Sequence, residues 1–309
     1  MLLRSRLDKI ARNLKPETRN PKPETRNPKP ETRNPRLETS NLKPNQITSR
    51  DNTLLRQARA VRDGKAQDSI FVEGLRLCEE AFSSHLDIDA IIYSEKIAGK
   101  ARAIQLIEQL QAAGHRTVSV KESLLDSISY TKTPQGIIIL ARRPVIDEAE
   151  FRIRQKASPI LVLMHGINNP VNVGAIIRTA EAAGATGIIA TNNSSDPFSP
   201  KALRGSMGSA FRLPIWTGIN YANALSWCGE QGIQRVSSAA GAKKDYTAAN
   251  WRKPFALIVG SESSGLSSDE IELADETVSI PMKGAVESLN VAVAAGILLY
   301  EAARQRAQK

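Results

Sequence analysis

The feature that most restricts the fold of this 309-residue chain is a series of short, unbroken apolar runs, each followed by a helix-like stretch. ILVLMH (160–165), TGIIAT (186–191) and FALIVG (255–260) show no polar alternation. A strand with one wet face alternates; a strand without alternation is buried on both faces, as in a parallel sheet covered by helices. The helix-like stretches are amphipathic and stop at glycine, as NVGAIIRTAEAAG does at Gly184. The expected class is therefore α/β. No run approaches the roughly 18 uncharged apolar residues of a membrane helix, so no membrane role is expected.

The pattern occurs twice. From Ile47 to Arg143, SIFVEG, IDAIIYS and GIIILA read as strands, and IAGKARAIQLIEQLQAAG as an amphipathic helix ending at Gly114. Asp51 is the expected cap of a first helix through LLRQARAVR. Residues 144–158 are charged and lack apolar periodicity, which marks a linker. A second unit spans 159–309 and ends in SLNVAVAAGILLYEAARQR, read as a long terminal helix.

Residues 1–46 are of another kind. KPETRNP occurs three times in succession and once more in degraded form. Two prolines in every seven residues exclude a helix, and there is no apolar seam for a coiled coil. The segment reads as a disordered, extended, basic tether. It is either an inert or translated repeat or a salt-sensitive electrostatic arm for RNA. Met1–Leu14 lacks the apolar core of a secretory signal and is only faintly like an organellar presequence. The net charge of +10 suggests a polyanionic partner, yet residues 1–46 hold 12 basic and 5 acidic side chains and so carry +7 of it. The rest is near neutral, and its charge alone does not indicate nucleic acid.

Cys78 and Cys228 are far apart, and His85, His115 and His165 are scattered, so no metal site is expected. No G-x-G-x-x-G follows a strand, which disfavours a dinucleotide site. GSESSG has the glycine spacing of a P-loop, but Leu266 and Ser267 stand where lysine and serine or threonine are needed. Three polar segments remain, each at the carboxyl end of an expected strand, where open α/β sheets bind ligands. HGINNPVNVGAIIRTA (165–180) sets Asn168, Asn169 and Asn172 at a helix start, a natural anion site, with Arg178 within the helix. GSESSGLS (260–267) is a loop whose glycines permit close backbone approach. SIPMKGAVESLNVAVAAG (279–296) places Ser288 and Asn290 at the start of an apolar helix, where Ser288 could also be a simple N-cap.

Together these segments resemble the SpoU (TrmH-like) family of the SPOUT superfamily, RNA ribose 2′-O-methyltransferases that use S-adenosylmethionine. The matching positions are Asn169, Asn172, Gly174, Arg178, Thr179 and Ala180; then Gly260, Glu262, Gly265 and Leu266; then Ile280, Pro281, Met282, Gly284, Ser288, Leu289, Asn290 and Val291. The resemblance runs from about Ile47 to Arg306 and leaves the repeat tail without a counterpart. It implies a SPOUT catalytic domain (159–309) with a parallel sheet and a deep trefoil knot, and a smaller RNA substrate-binding domain (47–143). It implies a homodimer through the C-terminal domain, with the active site completed near the interface, and a cytoplasmic location. Gly260, Ile280 and Leu289 are then cofactor-binding. Asn172, Arg178, Glu262, Ser288 and Asn290 are then catalytic, with Arg178 as general base or as the group that clamps phosphate and stabilises alkoxide charge. Lys201, Arg204 and Arg212 are candidate RNA contacts, and Ser206, Met207 and Gly208 a loop near the ribose. Ribosomal RNA is the preferred substrate and transfer RNA the alternative. The rival readings are a non-catalytic RNA-binding protein of the same fold, a base-modifying SPOUT enzyme, and a nicotinamide oxidoreductase.

Overall fold

A computed structural model describes residues 45–308 of the chain apart from Lys156. The tail expectations therefore lie almost wholly outside the described residues. The described residues all belong to a single compact unit.

The first sheet is mixed. It contains β1 (Asn45–Ile47), β2 (Ser69–Glu73), β3 (Ile88–Ser94), β4 (Thr117–Val120) and β5 (Ile137–Arg142), in the order β1-β4-β3-β5-β2. β5 runs antiparallel to β2 and β3 while β4 is parallel to β1 and β3. Its helices are α1 (Thr53–Arg62), α2 (Leu75–Ser83), α3 (Ala101–Ala112) and α4 (Glu122–Ile128). Helix α1 is capped by Asn52, whose Oδ1 accepts the Leu54 N–H at 2.9 Å, and not by the expected Asp51. Asp51 sits one residue earlier, in a turn where its own N–H donates to Ser49 Oγ.

The stretch 144–158 holds a short helix, α5 (Glu148–Ile153), started by an Asp147 cap. Its Phe151 is fully buried against Trp216 and Trp227, with ring centroids 5.7 and 5.5 Å away. Burying such a ring is worth about 1.5–3 kcal/mol, enough to hold this stretch against the second sheet.

That second sheet has seven strands, all parallel: β6 (Ile160–Met164), β7 (Gly187–Thr191), β8 (Ile215–Ile219), β9 (Gln234–Ser238), β10 (Lys244–Asp245), β11 (Phe255–Val259) and β12 (Glu276–Ser279). Their order is β10-β12-β9-β11-β6-β7-β8. Its helices are α6 (Pro170–Ala182), α7 (Pro200–Ser206), α8 (Ser209–Arg212), α9 (Tyr221–Glu230), α10 (Ser268–Glu272) and α11 (Val291–Ala307). Side chains alternate across the sheet as strand geometry requires. Leu161, Leu163, Ala256 and Ile258 join the core with α9 and the two tryptophans. Ile160, Val162, Met164, Leu257 and Val259 face α6 and α11 in a core that continues to Ile70, Val72 and α2 of the first sheet. The two sheets are thus joined by shared apolar packing. No described helix is long and apolar enough to cross a membrane.

Two glycines set the packing of α6. A Cβ at Gly174 would come within 2.4 Å of the Ala202 carbonyl oxygen and 2.8 Å of Gly205 Cα. Helices α6 and α7 therefore touch backbone to backbone, which fixes the position of Lys201 near the start of α7.

Candidate active site

Four neighbouring strands, β12, β9, β11 and β6, end on one side of the sheet. Their carboxyl ends frame one cavity of about 1250 Å³. It is lined by Asn168, Asn169 and Asn172 after β6, Ser238–Ala240 after β9, Gly260–Leu266 after β11, and Ile280, Met282 and Glu287–Val291 after β12. Of the expected site residues, Asn172, Gly260, Glu262, Ile280, Ser288, Leu289 and Asn290 meet here. Arg178 does not line this cavity.

Glu262 ties the three segments together. Its carboxylate accepts the backbone N–H of Asn168, the N–H of Asn169 and the Asn172 side-chain amide, each at 3.0 Å. Asn172 Oδ1 in turn accepts from Asn290 Nδ2 at 3.2 Å. The Asn290 Oδ1 caps α11 by accepting the Ala292 and Val293 N–H groups. Burial pushes the Glu262 carboxyl up, but the Asn172 amide and the backbone amides outweigh it and hold the carboxyl below its ordinary value. The sequence left the start of α6 open as an anion site; in the structure the chain's own Glu262 fills it. The partner comes from some 90 residues further on and could not be read locally.

The cap of α11 is Asn290, and Ser288 is an exposed residue ahead of the helix, so the simple N-cap reading of Ser288 fails. The cause is Asn290 itself, whose short amide reaches two backbone donors. Behind the cavity, His165 at the end of β6 bridges Thr191 Oγ1 at 3.0 Å and Glu270 Oε1 at 2.9 Å, and its ring lies 4.3 Å from that of Tyr221. The Ser267 N–H holds the Glu270 carboxyl below its usual range against opposing burial, with further help from His165. This pairing braces the loop after β11 against β6.

Residues 159–300 match the SpoU rRNA Methylase family, and residues 50–139 match the MRM3-like substrate binding domain. Over 217 residues the chain is 33% identical to a 23S rRNA (guanosine-2'-O-)-methyltransferase RlmB of Ralstonia nicotianae, a match covering 70% of this chain and 87% of that one. The chain belongs to the SpoU rRNA methylase family. Two solved SpoU relatives carry bound cofactor. The AdoMet-bound rRNA methyltransferase from Sinorhizobium meliloti superposes with a TM-score of 0.72 at 30% identity, over 84% of this chain and 97% of that one. The SpoU methyltransferase AviRb from Streptomyces viridochromogenes, in complex with AdoMet, gives 0.74 at 28% identity, over 84% and 100%.

Arg178 stands apart in this SpoU chain. It is exposed on α6, with no hydrogen bond or ion pair among the described residues. It follows Asn172 by six residues, which turns it about 240° away on the helix. It instead shares a face with Val171, seven residues earlier and 43% exposed. Helix α11 packs on α6, with Gly296 against Thr179, and leaves Val293 and Tyr300 exposed at 52% and 55%. These two are also seven residues apart, so they share one face of α11.

The candidate RNA contacts divide. Arg212 is held by ion pairs to Glu181 and Glu80, which keep its guanidinium protonated. Ser206 is buried, while Lys201 and Arg204 are exposed and unpaired among the described residues. Ser238–Ala240 were missed by sequence reasoning. They follow a strand, QRVSS, whose half-polar pattern gives no apolar run to announce it.

Proposed function

We propose that this chain transfers a methyl group from S-adenosylmethionine to a ribose 2′-hydroxyl of ribosomal RNA. The observation that carries the reading is the convergence of three motif segments on one cavity, in a chain whose relatives are ribose methyltransferases of 23S rRNA. The cavity exceeds the roughly 300–1000 Å³ typical of one small-molecule site, so it has room for a cofactor and a target ribose. Its composition fits the cofactor. Gly260 lies in a loop closed so tightly that a Cβ would reach 2.7 Å from Gly265, so the wall here is main chain. Ile280, Met282 and Leu289 add apolar surface suited to an adenine face. Gly260, Ile280 and Leu289 would hold the cofactor, which when bound supplies an electrophilic methyl on a sulfonium.

The protein's part is alignment and charge stabilisation. Asn172 is held by Glu262 and Asn290, so those two act largely by fixing it, and Ser288 is free to meet the ribose. Arg178 stabilises the negative charge on the ribose oxygen as its proton passes to solvent, and clamps an adjacent phosphate. Because Arg178 turns away from its own cavity, it serves the site of a second copy. The homodimer forms through α6 and α11, whose exposed Val171, Val293 and Tyr300 it would cover. The catalytic domain is read as knotted: β11 lies between β9 and β6 in the sheet, with β12 beyond β9, the order expected if the last crossovers thread the earlier ones. The reaction belongs in the cytoplasm, with RNA held by the 47–143 domain.

The test is transfer of labelled methyl to unmodified ribosomal RNA, with the product nucleoside identified by mass spectrometry. A 2′-O-methylnucleoside is expected. A base-methylated product, or no transfer by protein that binds S-adenosylhomocysteine, overturns the reading.

A further inference from the structure

A second cavity, of about 700 Å³, opens beside the first. Its floor continues the carboxyl edge of the parallel sheet, with Thr191 and Asn192 after β7 and Thr217 and Gly218 on β8. Its other wall comes from the first domain: the end of α1, the start of β2, and Tyr130. Pro170 and Lys201 line both cavities, so the two spaces meet at those residues.

Charge within this second space is almost entirely spoken for. Arg143 pairs with Asp196 through two 2.7 Å bonds. Arg62 is bound to Asp63 and to the carbonyls of Ser127 and Ser129. Lys201 has no partner among the described residues. Lys201 therefore offers an unpaired positive charge where the cavities join, which an anion can meet. Tyr130 is equally telling. The residue is 43% exposed, while its backbone is anchored, because the buried Glu73 carboxylate accepts the N–H groups of Tyr130 and Thr131 and the Thr131 hydroxyl. An exposed aromatic side chain that lines an open cavity, on a backbone anchored in place, is suited to stack on a base. The Asn192 side-chain amide, also without a partner among the described residues, offers both a donor and an acceptor to a base edge.

We propose that the second cavity binds the nucleotide adjacent to the methylated one, in an unpaired stretch of RNA. Lys201 holds the phosphodiester between the two nucleotides, Tyr130 stacks on the neighbouring base, and Asn192 reads its edge. The inference rests on the methyltransferase reading of the first cavity and adds a specificity site to it. A single strand is favoured, because its bases are already unpaired and free to splay into a protein pocket, whereas a base in a duplex would first have to be unstacked.

The experiment uses the full chain and a fluorescent ten-nucleotide single-stranded RNA of mixed sequence, followed by anisotropy, with S-adenosylhomocysteine titrated separately by calorimetry. Tyr130→Ala is expected to weaken RNA binding by roughly five- to tenfold, and Tyr130→Phe to restore it. Lys201→Ala is expected to weaken binding and to flatten its salt dependence by about 0.7 of a logarithmic slope unit. Asn192→Ala is expected to alter the preference among decamers differing in one base. In Tyr130→Ala the affinity for S-adenosylhomocysteine stays at the wild-type value. If Tyr130→Ala and Lys201→Ala bind the decamer as wild type does, while wild type methylates ribosomal RNA, the second site is wrong and the methyltransferase reading survives. If wild type neither binds S-adenosylhomocysteine nor transfers methyl, both fall.

Discussion

The two ends of α6 are finished in opposite ways. At its start, Asn172 is locked between Glu262 and Asn290, and the helix amides are met by a carboxylate of the same chain. Toward its far end, Arg178 stands in solvent with no partner among the described residues. The start is closed by the chain's own groups, whereas the arginine further along is left open to solvent. Residues six apart in one motif can thus sit in very different surroundings, one locked in place and the other in solvent.

The sharpest way to break this contrast is Arg178→Ala. Methyl transfer is expected to fall by roughly 10²–10³, with S-adenosylhomocysteine affinity and thermal midpoint almost unchanged, since no bond within the chain is lost. Mixing this variant with Asn172→Ala then separates the alternatives. Recovered activity in the mixture places the arginine in the neighbouring copy's site, whereas no recovery returns it to its own. Next in size is Val293→Asp on the bare face of α11. Light scattering is expected to show a monomer, and activity is expected to fall without loss of the fold; an unchanged dimer refutes this face as the interface.

Glu262→Gln probes the closed end and is smaller. Replacing an acceptor of three bonds by a group that also donates is expected to cost about 1–2 kcal/mol in denaturant unfolding. Because the folded carboxyl sits below its ordinary value, its contribution is present above about pH 4.3 and is lost as pH falls through the folded value. Wild type and variant should therefore differ at pH 6 and draw together as the pH falls through the acid range; a constant gap contradicts the charge-based account. Least is expected from Asn52→Ala at the cap of α1, about 1 kcal/mol of stability with methyl transfer intact. Impaired transfer there would tie the first domain's packing to catalysis.

Much of the fold and of the site was legible in the residues themselves. The unbroken runs at 160–165 and 255–260 report burial on both faces, and they became neighbouring parallel strands. The three polar segments stood out only jointly, through their order and spacing and the family these resemble; one by one, each also reads as an ordinary turn, loop or cap. Other features escaped for physical reasons. Helix α5 is anchored by the single ring of Phe151, which creates no periodicity. Ser238–Ala240 are small residues at the end of a half-polar strand, a residue type and pattern that carry no ligand signal. The exchange of Asp51 for Asn52 as cap turned on one residue of register, which either side chain could have satisfied.

The contact of Gly174 with Gly205 reaches beyond helix packing. It sets the backbone of α7 directly on α6, and so fixes where Lys201 starts out between the two cavities. A side chain at either glycine would wedge the two helices apart and carry that lysine's base with them, without changing the kind of any residue that lines the two spaces.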